Sequence, residues 1–436
     1  MKKYYHLIAF TFLLILFGSF ISQDEISKEE RLAWFRDAKL GIFIHWGIYS
    51  VNGISESWSF FNEHISHKDY LKQLDGFKAE HYDPDYWAKL IKESGARYTV
   101  ITSKHHDGVA LWDSKVSDLS IPKKSAAARD VLTPFVEAVR KQGLKVGLYY
   151  SLIDWSYPDY PNFTRTKKRY TDDSLRWAKF VQYNLAQIQE ISRYKPDLYW
   201  FDGGWEQSAE RWEASKIRQM ILDKNPKAVI NSRLRGYGDY ATPEQGLPIN
   251  PPKNPYWELC MTMNDSWGYQ PADTNYKSPN QIINIFADVL HNGGNLLLDI
   301  GPKSDGSIPK EQVNILKELG RWTKKHAEAI YGSRAGIDPH YYYGYSTLSA
   351  DRQTLYLFVN GKPSGPLMVK GLNNKVISAK MVGSNNKLNF RVLGKMSWSK
   401  VPGILYIDIP DLLLDKDMSI VALHLDGPIN LYGQKN

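Results

Sequence analysis

The chain is nearly without cysteine: its 436 residues include one, Cys260. A lone cysteine at that position excludes an intrachain disulfide and a lipid-attachment cysteine near the start of the chain. A chain this long can bury a core that needs no covalent staple. Long apolar runs are scarce as well. The run at residues 7–17 falls well short of the roughly 20 residues that span a bilayer. No glycine-rich phosphate loop follows an early strand-like segment, which counts against a nucleotide-binding open sheet. Charge of one sign is spread thin. The formal charge is +8, from 55 basic and 47 acidic residues, and the densest basic cluster, RTKKR at 165–169, reads as a solvated face. No nucleic-acid-binding module is recognisable.

Aromatic side chains, by contrast, are plentiful at 13%, with 14 Trp and 28 Tyr. Much of that must be core, but such rings also suit a cleft that receives the flat apolar face of a sugar. Residues 1–23 have the form of a signal peptide: Lys2 and Lys3, the apolar stretch, then the small residues Gly18, Ser19 and Ser22. The expected location is secreted or periplasmic, with no membrane association after cleavage. That segment holds two lysines and no acids, so the mature chain would carry about 8 − 2 = +6.

From residue 38 strand-like and helix-like segments alternate. Apolar runs at 40–45, 98–101, 145–150, 198–202, 228–230 and 295–300 are separated by amphipathic stretches such as 84–95, 129–142, 173–194 and 310–331. Asp83-Pro84 opens one helix as cap and first turn, and Gly95 and Gly143 close two. Repeated strand–loop–helix units imply a parallel sheet covered by helices. About eight such units favour a closed (β/α)8 TIM-like barrel, here over residues 24–335 and irregular between 234 and 275, where helix signals fail. After Gly336 the texture changes to short strands between Gly, Asn, Pro and Asp clusters, which predicts a β-sandwich over 336–436.

Polar residues gather at the tips of the predicted strands. The stretch 197–205, DLYWFDGGW, ends a strand on Asp202, and strand alternation sets Trp200 on the same face. His45, His105-His106, Tyr149, Asn231, Arg233 and Glu258 take comparable places. In a barrel these tips meet on one rim, where catalytic groups sit. Two acids with histidines, an arginine and aromatics suit glycoside hydrolysis, which needs one carboxylate as nucleophile or base and one carboxylic acid as proton donor. His105 and His106, as strand neighbours, point to opposite faces and do not read as a metal pair.

The words GIFIHWG (41–47), ESW (56–58), KHHDG (104–108), GLYYS with DW (147–155), WFDG (200–203), NSR (231–233), WE followed by NDSWGY, and NLLLDIGP (295–302) together carry a resemblance. The chain resembles the α-L-fucosidases of glycoside hydrolase family 29 over roughly residues 30–335. The resemblance implies an exo-acting, retaining hydrolase on a (β/α)8-like barrel with a C-terminal β-sandwich and no cofactor or metal. Its partner would be a fucosylated oligosaccharide or glycoprotein glycan. By position, Asp202 resembles the nucleophile, and His45, Trp58, His105, His106, Tyr149, Trp200 and Arg233 the fucose-binding groups. Glu56 resembles the acid that hydrogen-bonds the sugar, with Ser57 separating it from Trp58. Glu258 is assigned as acid/base because it follows a strand-like segment and leads into the SWGY word. Asp265 and Glu244 are the other carboxylates available for that part. The competing readings are another barrel glycosidase, such as an α-galactosidase, and a glycan-binding protein without catalysis.

Overall fold

A computed structural model describes residues 26–384 and 386–434; the expected signal peptide lies outside the described residues. Seven parallel strands form one sheet: β1 (Leu40–Ile44), β2 (Tyr98–Lys104), β3 (Lys145–Ser151), β4 (Leu198–Asp202), β5 (Val229–Ile230), β6 (Glu258–Thr262) and β7 (Asn295–Ile300). Their spatial order is β5-β4-β3-β2-β1-β7-β6. The gap between β5 and β6 is bridged by an irregular eighth stave, residues 239–245. On one side the Asp239 N–H donates to the Ile230 carbonyl and the Ser232 N–H to Tyr240. On the other, the N–H groups of Glu258 and Cys260 donate to the carbonyls of Ala241 and Pro243. The barrel is therefore closed.

Helices cover the strands from outside: α1 (Lys28–Ala38), α2 (Pro84–Glu93), α3 (Leu132–Lys141), α4 (Ser174–Ser192), α5 (Ala214–Lys224), α6 (Pro279–His291) and α7 (Lys310–Lys325). Helices are missing on both sides of the stave, as the sequence predicts. Pro248, Pro251, Pro252 and Pro255 crowd the link to β6, and proline removes an N–H donor and clashes inside a helix.

Strand alternation is visible in the packing. Phe43, Tyr98, Val100, Tyr149, Leu198, Trp200, Cys260 and Leu297 pack together inside the barrel. Their neighbours Ile42, Ile44, Leu148, Tyr150, Tyr199, Phe201, Leu259 and Leu298 face the helices. Parallel strands buried on both faces need such runs. Leu32 and Phe35 of α1 join the interior cluster. Arg31 ties that helix to the stave through both oxygens of buried Asp239, at 2.5 and 2.7 Å.

The remaining strands form two antiparallel sheets. The larger, in order β12-β15-β10-β9-β8, comprises β8 (Arg334–Ala335), β9 (Ser346–Leu348), β10 (Thr354–Asn360), β12 (Val376–Met381) and β15 (Met418–Leu425). The smaller, β11-β14-β13, comprises β11 (Leu367–Val369), β13 (Phe390–Leu393) and β14 (Ile404–Ile407). Leu355, Leu357, Val421 and Leu423 meet Val369, Leu405 and Ile407 between the sheets. Tyr356, Phe358, Ile420 and Ala422 of the opposite face join the barrel's outer core. Trp322 of α7 bridges the two by donating its indole N–H to the Met418 carbonyl at 2.8 Å. Both faces of β10 are thus covered, which is why it reads as an unbroken apolar run.

Candidate active site

Asp202 ends β4 at the C-terminal rim, and the chain turns at once through Gly203, whose φ of 79° a side chain would resist. Its Oδ2 accepts the Tyr149 hydroxyl at 2.9 Å, and its Oδ1 accepts Arg233 Nη1 at 2.8 Å. Burial alone would raise this carboxyl. Arg233, His106 and Tyr149 outweigh burial and hold it below the ordinary aspartate range, so it is ionised. Arg233 is the cation that matters, because burial pushes His106 down to about 4 and leaves it neutral.

The same guanidinium continues to a second acid. Arg233 Nη2 donates to Glu244 Oε2 at 2.5 Å, and Nε reaches Thr242 Oγ1 at 3.4 Å. Tyr240, Thr242 and Glu244 alternate along the stave: the first packs in the barrel interior, and the next two meet Arg233. One arginine therefore holds two carboxylates at the mouth of the barrel.

Three histidines each spend one nitrogen on the protein. His45 Nδ1 is 2.7 Å from Asp299 Oδ1, His105 Nδ1 is 2.5 Å from Ser57 Oγ, and His106 Nδ1 is 2.6 Å from Ser151 Oγ. The Ser151 hydroxyl proton goes to the Ile153 carbonyl, so His106 Nδ1 is the donor in that pair. Burial pushes His45 down to about 3 and Asp299 above its usual range. The single hydrogen bond between them fixes the ring and leaves Nε2 as its free nitrogen. Tyr149 stacks between His105 and Trp200, at centroid distances of 5.6 and 5.7 Å.

Glu56 carries an unusual backbone for a non-glycine residue, with φ of 21°. Its carboxylate accepts the Gly268 N–H at 2.8 Å, yet burial pushes it up to about 7. The kink at Glu56 and the single helical turn Trp58–Phe61 send Glu56, Ser57 and Trp58 all inward. Ser57, which interrupts the expected Glu–Trp pair, is the support for His105.

A cavity of about 350 Å³ is lined by His45, Glu56, Trp58, His105, Tyr149, Trp200, Asp202 and Arg233, with Phe43, Trp205, Glu244 and Trp267 added. The structure thus brings together eight of the ten residues read from the sequence. His106 stands behind Asp202, its Nε2 3.6 Å from Oδ2, rather than in the wall. A larger cavity of about 630 Å³ lies between residues 269–276 and 303–311. Of its two acids, Asp273 is occupied by Asn264 and the Asp265 N–H, and Glu311 lies beside Lys310; the residues read from the sequence gather in the smaller pocket.

Glu258 is the correction. It is the first residue of β6, paired in register with Asn295, whereas Thr262 at the rim pairs with Asp299. It therefore sits deep inside the barrel, wholly buried, and does not line the pocket. Its oxygens accept the Tyr98 hydroxyl at 2.5 Å and the Trp200 indole N–H at 3.0 Å. The Trp-Glu word starts a strand instead of following one. Asp265 is exposed and engaged by Asn275. Of the residues the sequence left aside, the alternation of Tyr240, Thr242 and Glu244 was a usable signal. Phe43, Trp205 and Trp267 sit inside quoted words, whereas nothing local marked Ser57, Ser151 or Asp299 as supports.

The profile described as Alpha-L-fucosidase matches residues 21–328. The chain is 32% identical to the tissue alpha-L-fucosidase of Rattus norvegicus, covering 69% of this chain and 70% of that one. It superposes on alpha-L-fucosidase isoenzyme 1 from Paenibacillus thiaminolyticus with a TM-score of 0.83 at 33% identity, over 92% of this chain and 99% of that one. A GH29 alpha-L-fucosidase from Bacteroides thetaiotaomicron, caught as a covalent intermediate with 2-fluoro-fucosyl fluoride, matches with a TM-score of 0.81 at 27% identity, over 91% and 96% of the two chains.

Proposed function

The chain belongs to the alpha-L-fucosidase family of glycoside hydrolases, and from that premise we propose that it frees terminal α-L-fucose from glycans by double displacement with retention. Asp202 attacks the anomeric carbon. Glu244, which takes up a proton when bound substrate parts it from Arg233, gives that proton to the leaving oxygen, and once ionised it activates the water that releases fucose. The observation that carries this reading is the Asp202–Arg233–Glu244 bridge. Retaining enzymes hold their two carboxyls about 5–5.5 Å apart, a separation that one guanidinium can span. The covalent intermediate trapped in the Bacteroides relative points the same way. His45 and His105, with Glu56, bind ring hydroxyls, and Phe43, Trp58 and Trp267 receive the fucose methyl. Burying that methyl is worth roughly 0.8 kcal/mol.

Trp205, 47% exposed at the mouth, offers its face to the leaving sugar. Its neighbour Glu206 is fixed by Tyr160 and Asn162, at 2.5 and 2.7 Å. Proton NMR during turnover of an aryl α-L-fucoside tests the mechanism: α-fucose is the first-formed anomer. Initial release of β-fucose would replace retention by inversion. Little hydrolysis of the corresponding aryl α-D-galactoside is expected, and equal rates would favour the galactosidase reading.

His45 and His105, which line the pocket, are assigned to substrate rather than to a metal, with His106 behind Asp202. Extended dialysis against a chelator leaves activity unchanged. A loss that a divalent ion restores would overturn this assignment.

A further inference from the structure

We propose that Glu258 is a positioning residue: by accepting the Trp200 indole N–H from within the barrel, it sets the aromatic floor on which Arg233 rests, and with it the spacing of Asp202 and Glu244. The proposal rests on the fucosidase reading above.

A wholly buried carboxyl among neutral groups is costly unless its hydrogen bonds hold it there. Glu258 has two such bonds, from Tyr98 and Trp200. Burial pushes it up to about 7, against those bonds. Trp200 has contacts on three sides. Glu258 holds its N–H at 3.0 Å, the Tyr149 ring lies 5.7 Å away at 19°, and the Arg233 guanidinium carbon sits 4.4 Å from its centroid. The guanidinium on that ring is the group that spans the two reacting carboxylates. An indole released below can tilt, and Arg233 tilts with it. Misplacing a reacting group by about 1 Å can cost 10²-fold.

Kinetics on a set of aryl α-L-fucosides with phenols of graded acidity test this. Active sites are counted by covalent trapping with 2-fluoro-fucosyl fluoride, so that misfolded protein is not scored. Glu258→Gln keeps a carbonyl oxygen for the indole and stays within about threefold of wild type in kcat. Glu258→Ala loses about 10–100-fold in kcat per counted site, by one factor for every phenol, and forms no fucosyl azide in azide. Trp200→Phe, which lacks the N–H, behaves alike, and the double variant is no worse than the poorer single, as coupled residues require.

A loss that grows as the phenol becomes less acidic, or an azide product, would make Glu258 the acid/base and overturn the proposal. So would unchanged kcat per counted site in Glu258→Ala, which would leave a purely structural role, or equal damage in Glu258→Gln and Glu258→Ala. A wild-type protein inert toward every fucoside would remove the fucosidase reading first and this proposal with it.

Discussion

Asp202→Gly turns over no fucoside at a measurable rate, whatever its leaving group. In the proposed mechanism this residue forms the bond to carbon, and none of its neighbours is placed to stand in. Tyr149 is a buried phenol that donates to it, Arg233 is a cation, and His106, held at Nδ1 by Ser151, stands behind the carboxylate and outside the pocket wall. Removing a nucleophile costs on the order of 10⁵-fold or more. The fold should survive, because Arg233 keeps Glu244 as partner and the strand already ends in glycines. Circular dichroism with steady-state rates on an aryl fucoside and a fucosylated oligosaccharide checks this. Retention of more than about a hundredth of wild-type kcat would remove Asp202 from the nucleophile's place.

Glu244→Ala separates substrates by leaving group. Natural glycans depart as alcohols and need a proton, so their hydrolysis falls by about 10²–10⁴-fold, the usual worth of general acid–base help. Aryl fucosides with acidic phenols depart unaided and keep much of their first step. Their second step then stalls, since no base activates water. Azide needs no deprotonation and restores turnover, giving fucosyl azide of retained configuration. The contrast with Glu258→Ala, flat across phenols and silent to azide, places the two glutamates in different parts. Near wild-type hydrolysis of fucosylated oligosaccharide by Glu244→Ala would take the proton donor's part away from it, leaving Glu56, which also lines the pocket, as the acid to test next.

Much of the site is legible from strand tips alone. In a parallel barrel every strand delivers its last residues to one rim, so His45 after β1, Tyr149 on β3 and Asp202 at the end of β4 converge without further information. Glu258 fails for the same reason. The rule depends on where a strand starts, and Tyr256-Trp257-Glu258 can be read as a strand's end or its beginning. Register against Asn295 decides for the beginning. Glu244 stood behind Glu258 as a candidate because its segment reads as irregular: Pro243 cannot donate to a ladder, and the stave is held by hydrogen bonds exchanged with the flanking segments of β5 and β6.

The order of strands and helices, the change to a β-sandwich, the strand-tip histidines and the carboxylate of Asp202 were determined by the sequence itself, because apolar periodicity and turn residues act over a few neighbours. Tertiary structure alone decided which acid shares Arg233 with Asp202. That choice rests on contacts no local pattern carries: Arg233 reaching Glu244 on the irregular stave, Trp200 reaching down to Glu258 58 residues on, and Ser57 and Asp299 steadying histidines 48 and 254 residues away. Depth within the barrel separates Glu244, which lines the pocket, from Glu258, which is buried beneath it. Depth is set by strand register, which is a property of the closed sheet and not of any one segment.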